Sequence, residues 1–221
     1  GTQLITTLGK TLDFAITFDG VGGTFRLQDA LTVGSTRTTT LTNGTLNLND
    51  LTLTTGLFSS SNSNTRTIAF GTGNISCSGT GSAWTVLTTT NLTVTGTPVV
   101  NVTSAGSTPI TVSQGTLSEA SSISFNFTGG TYDLNFPSTA GSAKNINFTG
   151  YAGTWGMSTS SPTVYGNLTI STGMTVNAAS GTMTFGATSG TQQITTNGKT
   201  LDFPITFDGV GGTFRLQDAL T

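Results

Sequence analysis

Hydrophobic residues along the chain fall in short sets in which every second position is apolar. Ile75 with Cys77 and Val100 with Val102 are typical pairs. A spacing of two residues is the period of a strand that buries one face. Glycine, asparagine, serine or proline separates nearly all sets, as turns require. Helix formers are scarce, whereas threonine, valine, isoleucine and phenylalanine suit strands. The pattern therefore predicts an all-β fold of short strands.

The spacing between sets indicates how these strands are arranged. Every third set returns after about 21 to 26 residues, as from Ile68 to Leu92 and from Ile123 to Ile146. Three short strands per such interval predict a parallel β-solenoid (β-helix), in which each strand stacks on its equivalent one rung away. The alternative is a row of antiparallel β-sandwich modules of roughly 95 residues, which are also built from short strands with frequent turns.

One segment of 32 residues occurs twice in the sequence. Residues 1–32 and 190–221 agree at 29 positions with a constant offset of 189 residues. We therefore interpret residues 1–189 as one tandem-repeat module of a longer array and residues 190–221 as the start of the next module. A continuous coil would hold a whole number of rungs per module, either eight or nine. At roughly 4.8 Å per rung, one module would lengthen the rod by about 40 Å.

The differences between the copies carry geometric information. They are Leu4/Gln193, Leu8/Asn197 and Ala15/Pro204. Proline lacks the N–H that a strand interior uses, so Pro204 predicts a corner between two short strands. Leucine disfavours positive φ, so the pair Leu8 and Asn197 predicts a bend that requires only the following glycine, and not a hairpin. Positions 4 and 8 are predicted to face solvent. A hairpin at Asn43-Gly44 stays open.

Composition limits the possible functions. Seven basic and nine acidic residues give a net charge of −2, which does not favour nucleic-acid binding. The chain has no histidine, so this segment has neither histidine-dependent catalysis nor a zinc site with histidine ligands. The single cysteine, Cys77, alternates with Ile75 and is predicted to be a small inward-facing residue. The sequence contains no run of 18 apolar residues, so it predicts no membrane span in this segment. This composition is typical of extracellular or cell- or virion-surface proteins.

Acidic residues are the remaining candidates for chemistry. Asp19 and Asp208 open the glycine-rich loop DGVGG in the two copies and are candidate calcium ligands, although turn residues of this kind are usually structural. Asp13 is predicted to point outward. Polysaccharide cleavage would need a pair of carboxyl groups about 5–10 Å apart. We predict no enzyme activity, no catalytic residue and no cofactor other than possible calcium.

Aromatic and threonine residues suggest two further binding hypotheses. An exposed set of tryptophan and tyrosine side chains could stack on sugars, but Trp84 and Trp155 occupy equivalent places in two similar segments and are predicted core or corner residues. Thr-x-Thr pairs could form an ice-binding face if threonine recurred at the same position on successive rungs. Outward positions that carry Asn47, Asn49, Ala69 and Asn147 count against this hypothesis.

In style the chain resembles the β-strand-repeat regions of large bacterial surface adhesins and the fibre proteins of bacteriophages. The segments that carry the resemblance are GTLNLNDLTLTTG, GNLTISTGMTVNAASGTMTF and NLTVTGTPVVNVTS. The resemblance implies a structural or adhesive segment of an extracellular fibre. Its expected partners are neighbouring modules or like subunits stacked end to end, and surface glycans are a further candidate partner. The alternatives are a carbohydrate-binding or polysaccharide-cleaving module, as in a tailspike, and an ice-binding solenoid.

Overall fold

The chain winds into a parallel β-solenoid. A computed structural model describes all residues from 1 to 221 and contains strands but no helix. Every strand pair is parallel, and partners lie about 22 residues apart, as Thr2 and Thr24 do. One sheet contains ten strands in an uninterrupted order, which gives ten rungs. The solenoid prediction is confirmed, and the sandwich alternative is wrong because sandwich sheets are antiparallel.

Most rungs contribute three strands. The first five rungs contain β1 (Thr2–Ile5), β2 (Thr11–Leu12), β3 (Ile16–Leu27), β4 (Leu31–Val33), β5 (Thr38–Asn47), β6 (Thr52–Thr55), β7 (Leu57–Ser59), β8 (Arg66–Ala69), β9 (Asn74–Cys77), β10 (Gly81–Val86), β11 (Leu92–Thr95), β12 (Val99–Val102) and β13 (Ile110–Gln114). The last five contain β14 (Ser124–Phe127), β15 (Asp133–Asn135), β16 (Ser142–Ala143), β17 (Ile146–Asn147), β18 (Thr154–Gly156), β19 (Thr163–Val164), β20 (Leu168–Thr169), β21 (Thr175–Val176), β22 (Met183–Phe185), β23 (Thr191–Thr195), β24 (Ile205–Phe207) and β25 (Thr213–Leu216).

The strands form three faces. Face 1 contains β1, the second halves of β3 and β5, then β8 and β11, and continues in the four-stranded sheet β16-β19-β22-β24. Face 2 is the ten-stranded sheet from β2 to β25. Face 3 contains the first halves of β3 and β5, followed by β7, β10, β13, β15, β18 and β21. Because β3 and β5 continue around a corner, the early strands of faces 1 and 3 belong to one sheet.

Corners lie where the hydrophobic pattern changes phase. Asn49 and Asp50 both have positive φ, which turns the chain between two strands whose inward positions differ in phase. Residues 13–15 lie outside any strand, so the position occupied by Pro204 in the second copy is a corner, as predicted. Gly44 has a φ of 80° within β5, where the chain rounds a corner and does not form a hairpin.

The interior is one continuous hydrophobic core. A single cluster of 43 buried residues extends through the coil, and aromatic rings stack in it, as Phe58 does on Trp84 with 4.7 Å between ring centroids. Cys77 is fully buried in this core, as predicted, and burial raises the pKa of its thiol to about 12. The strands of each rung are too short to form a stable sheet alone, so stacking on neighbouring rungs stabilises them.

The two copies of the duplicated segment lie on different faces. Residues 2–5 form β1 on face 1, whereas residues 191–195 form β23 on face 2. Eight full rungs and one additional face therefore separate the copies, and the prediction of a whole number of rungs per module is wrong. A strand of a given sequence can occupy any of three similar faces. The number of strand positions per module must be whole, but the number of rungs need not be.

The bend after the first strand differs from its prediction. Leu8 has a φ of 55° and Asn197 a φ of 50°, and each is followed by a glycine with φ above 70°. No hairpin forms, as predicted, because the flanking strands pair with neighbouring rungs. However, both positions of the bend are left-handed in both copies, so the inference that only the glycine needs positive φ is wrong. Leu8 and Leu4 face solvent, as predicted.

Replacing Leu8 by asparagine is expected to stabilise the chain by about 1 kcal/mol, because leucine is strained at positive φ and asparagine tolerates it. The side chain of Leu8 is exposed, so little packing is lost. Urea unfolding of the variant measures the gain. The reciprocal change Asn197→Leu should destabilise the chain by more than this, because it also removes the hydrogen bond from Asn197 Nδ2 to the Ile170 carbonyl oxygen. Equal stability of all three proteins would contradict this explanation.

Candidate functional site

Face 2 carries a row of aligned small polar residues that points outward. Strand registers place the following nine residues in adjacent positions on successive rungs: Thr11, Thr32, Thr54, Ser76, Asn101, Asn126, Asn147, Thr169 and Thr195. We call this row the face 2 ladder. Alternation along each strand turns the neighbouring apolar residues inward, so a regular polar row results from a regular core.

Side-chain amides connect the central rungs of this ladder. Asn126 Nδ2 donates to Asn101 Oδ1 at 2.9 Å. Asn101 Nδ2 donates at 3.2 Å to Oδ1 of Asn74, which lies in β9 beside the ladder residue Ser76. Asn74 Nδ2 in turn donates to Thr52 Oγ1 at 3.1 Å. Stacked asparagines of this kind stabilise parallel in-register strands. These amides therefore hold rungs together, and part of their hydrogen-bonding capacity is already used.

Two adjoining shallow grooves lie along face 2. One has a volume of about 310 Å³ and is lined by Asn126, Asn145 and Asn147, among others. The other, of about 420 Å³, includes Glu119 and Lys144. Glu119 is the single carboxylate that lines either groove, whereas cleavage of a glycosidic bond by acidic residues requires a pair. The grooves can offer hydrogen bonds to a polar ligand, but they lack an acidic pair.

Face 1 carries a row of threonines. Thr2, Thr24, Thr45, Thr67 and Thr93 occupy aligned outward positions on five successive rungs. The sequence argument against an aligned threonine row is therefore wrong for these rungs. Asn47 and Ala69 belong to the neighbouring outward row, which also contains Arg26 and therefore is not a second row of threonines.

The acidic residues singled out in the sequence hold neighbouring rungs together. Asp13 points outward, as predicted, and its Oδ1 lies 3.0 Å from Arg37 Nε. Asp19 Oδ1 accepts a hydrogen bond from Asn43 Nδ2 at 2.6 Å. No group of three or more cysteine or acidic side chains could hold a metal ion. Calcium binding by Asp19 or Asp208 stays a prediction.

Asp29 and Asp218 occupy equivalent positions in the two copies and have the same role. Asp29 Oδ1 accepts from the Thr7 backbone N–H at 2.9 Å, and Asp218 Oδ1 accepts from that of Thr196 at 2.9 Å. These backbone hydrogen bonds hold the pKa of both carboxyl groups below its ordinary value. Each carboxylate caps the bend of the preceding rung, and the bend contains Leu8 or Asn197.

The proposed aromatic platform for sugars does not form from the large aromatic residues. Trp84, Trp155, Tyr132 and Tyr151 are buried, which confirms both tryptophans as core residues and removes all four from the surface. Tyr165, the fifth ring of the predicted set, is half-buried and cannot form a platform alone. Both tryptophans lie on face 3, in β10 and β18, but not in equivalent places as predicted, because Trp84 aligns with Val112 whereas Trp155 aligns through Leu134 with Ile110. Burial also raises the pKa of the Tyr132 and Tyr151 hydroxyls. Carbohydrate stacking on these rings is therefore excluded.

Two charged residues with specific roles were not singled out in the sequence. Glu119 Oε2 accepts hydrogen bonds from the backbone N–H of Thr188 at 3.1 Å and from its hydroxyl at 2.6 Å. These bonds, with a smaller effect of Lys144, lower the pKa of the Glu119 carboxyl group. Arg66 is fully buried. Arg66 directly follows a polar corner segment and Glu119 lies within one, so no local pattern distinguishes either residue from a solvated one.

Comparisons with known proteins provide no further constraint on the site. The chain matches no protein-family model, and no match to a curated protein or to a solved structure was found. None of its elements is a helix that is long and apolar enough to cross a membrane. The site is therefore defined by geometry alone, as a set of polar ladders on a rod.

Proposed function

We propose that the chain is a structural segment of an extracellular fibre, in which repeated modules lengthen a rigid rod that spaces or displays other parts. The resemblance in style to surface adhesins and phage fibres supports this role. So does the use of its carboxylates in contacts between rungs, which leaves few groups for chemistry.

The observation that carries the proposal is the continuity of the coil across the repeat. β20 pairs with β23, and β23 pairs with β25, so the second copy of the duplicated segment continues the stack without a break. Modules that folded as separate domains would instead be joined by linkers that few contacts cross. Repetition of this sequence therefore adds length to one rod. Each further module begins on the next face of the coil, so the fourth module begins on the same face as the first.

The test is the length of chains that contain one, two and three periods. Each added period of 189 residues should lengthen the particle by about 40 Å at constant cross-section, because neighbouring rungs are roughly 4.8 Å apart. Small-angle scattering and electron microscopy measure both quantities. Particles that resemble flexibly linked beads, or that grow in width, would contradict a rod-forming role.

Ice binding is the second candidate, and the five aligned threonines of face 1 favour it. Thermal hysteresis measured with the purified chain tests this candidate. Thr45→Lys and Thr67→Lys together should abolish any hysteresis, while Thr169→Lys on face 2 serves as the control. The absence of hysteresis at high protein concentration would remove this function and leave the fibre proposal intact.

A further inference from the structure

We infer that the C-terminal edge of the coil, formed by β24 and β25, is a docking surface for one more rung with the sequence of residues 33–57. This inference deepens the proposed fibre role and rests on it, because it names the partner that each module accepts. The inference comes from the duplicated segment, whose first copy is covered by further rungs and whose second copy lies at the edge of the coil.

Burial of the duplicated apolar residues differs sharply between the copies. Phe18 is 4% exposed, but its counterpart Phe207 is 48% exposed. Leu27 is fully buried, whereas its counterpart Leu216 is 46% exposed. In the first copy, Phe18 lies beside Leu41 on the next rung. The second copy therefore presents an apolar surface that the rung containing Leu41 covers elsewhere in the same chain.

The backbone of this edge is also unpaired on one side. In the first copy, β3 pairs with β5, and the aligned residues include Thr17 with Thr40 and Phe25 with Leu46. The counterparts of β3 are β24 and β25, each of which lies at the end of its sheet. A parallel strand with the sequence of β5 would continue both sheets in the register already observed.

Polar contacts specify which rung fits. In the first copy, Arg37 pairs with Asp13, Asn43 donates to Asp19, and Arg26 donates to Asn49 at 2.7 Å. One partner of each contact is present at the C-terminal edge, namely the exposed counterparts Asp202, Asp208 and Arg215. Residues 33–57 supply the missing arginine and both asparagines. The charge and hydrogen-bonding pattern of the edge therefore matches this segment.

The N-terminal edge provides an independent comparison. Phe14 is 58% exposed in the first rung, whereas its counterpart Phe203 is 9% exposed where eight rungs precede it. Ile194 is almost completely buried, and its counterpart Ile5 is only half-buried. Each copy is therefore covered on the side where coil of this chain adjoins it. Coil of the same protein is the occupant that both edges fit.

The test extends the full chain after Thr221 with a copy of residues 33–57 and measures amide hydrogen exchange. Peptides covering β24 and β25 should exchange at least about tenfold more slowly in the extended chain, because their amides and side chains become covered. Exchange in β9, in the middle of the rod, should not change. The matched control carries Leu41→Asp and Leu46→Asp in the added copy only, and should show no added protection.

A second readout does not depend on stability. Thr206→Cys is combined with Thr40→Cys in the added copy, because Thr17 and Thr40 are aligned outward neighbours in the first copy. This pair should form a disulfide under mild oxidation, and Cys77 should not compete because it is buried. Thr206→Cys with Thr38→Cys in the added copy is the register control and should cross-link poorly.

Unchanged exchange together with no register-specific disulfide would overturn the docking surface. Protection that the aspartate variant shows equally would overturn it as well, because a non-specific tail would then explain the effect. Neither result would decide the rod proposal, since multi-period chains test that through their length. Conversely, a docked rung in a protein whose tandem chains form beads would retain this inference and contradict the fibre role.

Discussion

Replacing Arg66 by alanine is expected to lower the free energy of unfolding by at least about 3 kcal/mol, as measured by urea denaturation. Arg66 begins β8 on face 1 and is fully buried. Its guanidinium contacts no carboxylate, since the two ion pairs of the structure are Arg37–Asp13 and Lys144–Glu119. A buried cation without a counter-ion is costly unless its donors are all satisfied.

The hydrogen bonds of Arg66 explain why it is tolerated. Nε donates to Ser60 Oγ at 2.8 Å, and Nη1 donates to the carbonyl oxygens of Asn64 at 2.8 Å and Thr90 at 3.1 Å. Nη2 donates to the carbonyl oxygens of Ser60 and Thr88. All five N–H groups thus bind corner segments of adjoining rungs. Removing the side chain would leave buried carbonyl groups without partners, together with a cavity.

Conservative variants separate charge from geometry. Arg66→Lys keeps the charge but cannot reach both corner segments at once, so we expect a loss comparable to that of alanine. Arg37→Ala removes an exposed arginine whose ion pair contributes less than about 1 kcal/mol, and is the matched control. Full stability of Arg66→Lys would contradict this role, because a point charge would then suffice.

The sequence predicted most of the fold because the solenoid repeats its pattern. Alternation placed Ile75, Val100 and Phe125 inward, and the structure stacks them in adjacent positions of face 2. Pro204 marked a corner because a missing N–H is a local property. The spacing of hydrophobic sets then indicated three strands per rung, since strands that stack in register must recur at equal intervals.

Features that depend on which rungs adjoin could not be predicted. The shift of one face between the copies is the sum of many strand and corner lengths, and these lengths differ. Residues 115–123, for example, pass along face 1 without forming a strand. The role of Arg66 depends on carbonyl groups 22 to 24 residues away. Leu8 was misjudged because the hydrogen bonds from its bend to Asp29 help to offset its backbone strain. These contacts connect rungs, and no local pattern encodes them.

Replacing Trp84 by alanine is expected to lower the free energy of unfolding by about 3–5 kcal/mol, the range for loss of a large buried aromatic residue. Trp84 is fully buried, stacks on Phe58, and meets Phe125 edge-to-face with 6.2 Å between ring centroids. Its ring therefore connects faces 2 and 3 across the core. Urea denaturation followed by circular dichroism measures the loss, because the variant removes one of two tryptophan fluorophores.

A hydrogen bond of Trp84 allows a sharper test of the same core. Trp84 Nε1 donates to Oε1 of the buried Gln114 at 2.9 Å. Trp84→Phe retains an aromatic ring but leaves Gln114 Oε1 without this donor, so it should cost at least about 2 kcal/mol. Adding Gln114→Leu removes the stranded acceptor, although it also leaves the carbonyl of Gly115 without its donor. The double variant should therefore be more stable than the sum of the two single losses predicts. Strict additivity would mean that the tryptophan acts through its volume alone.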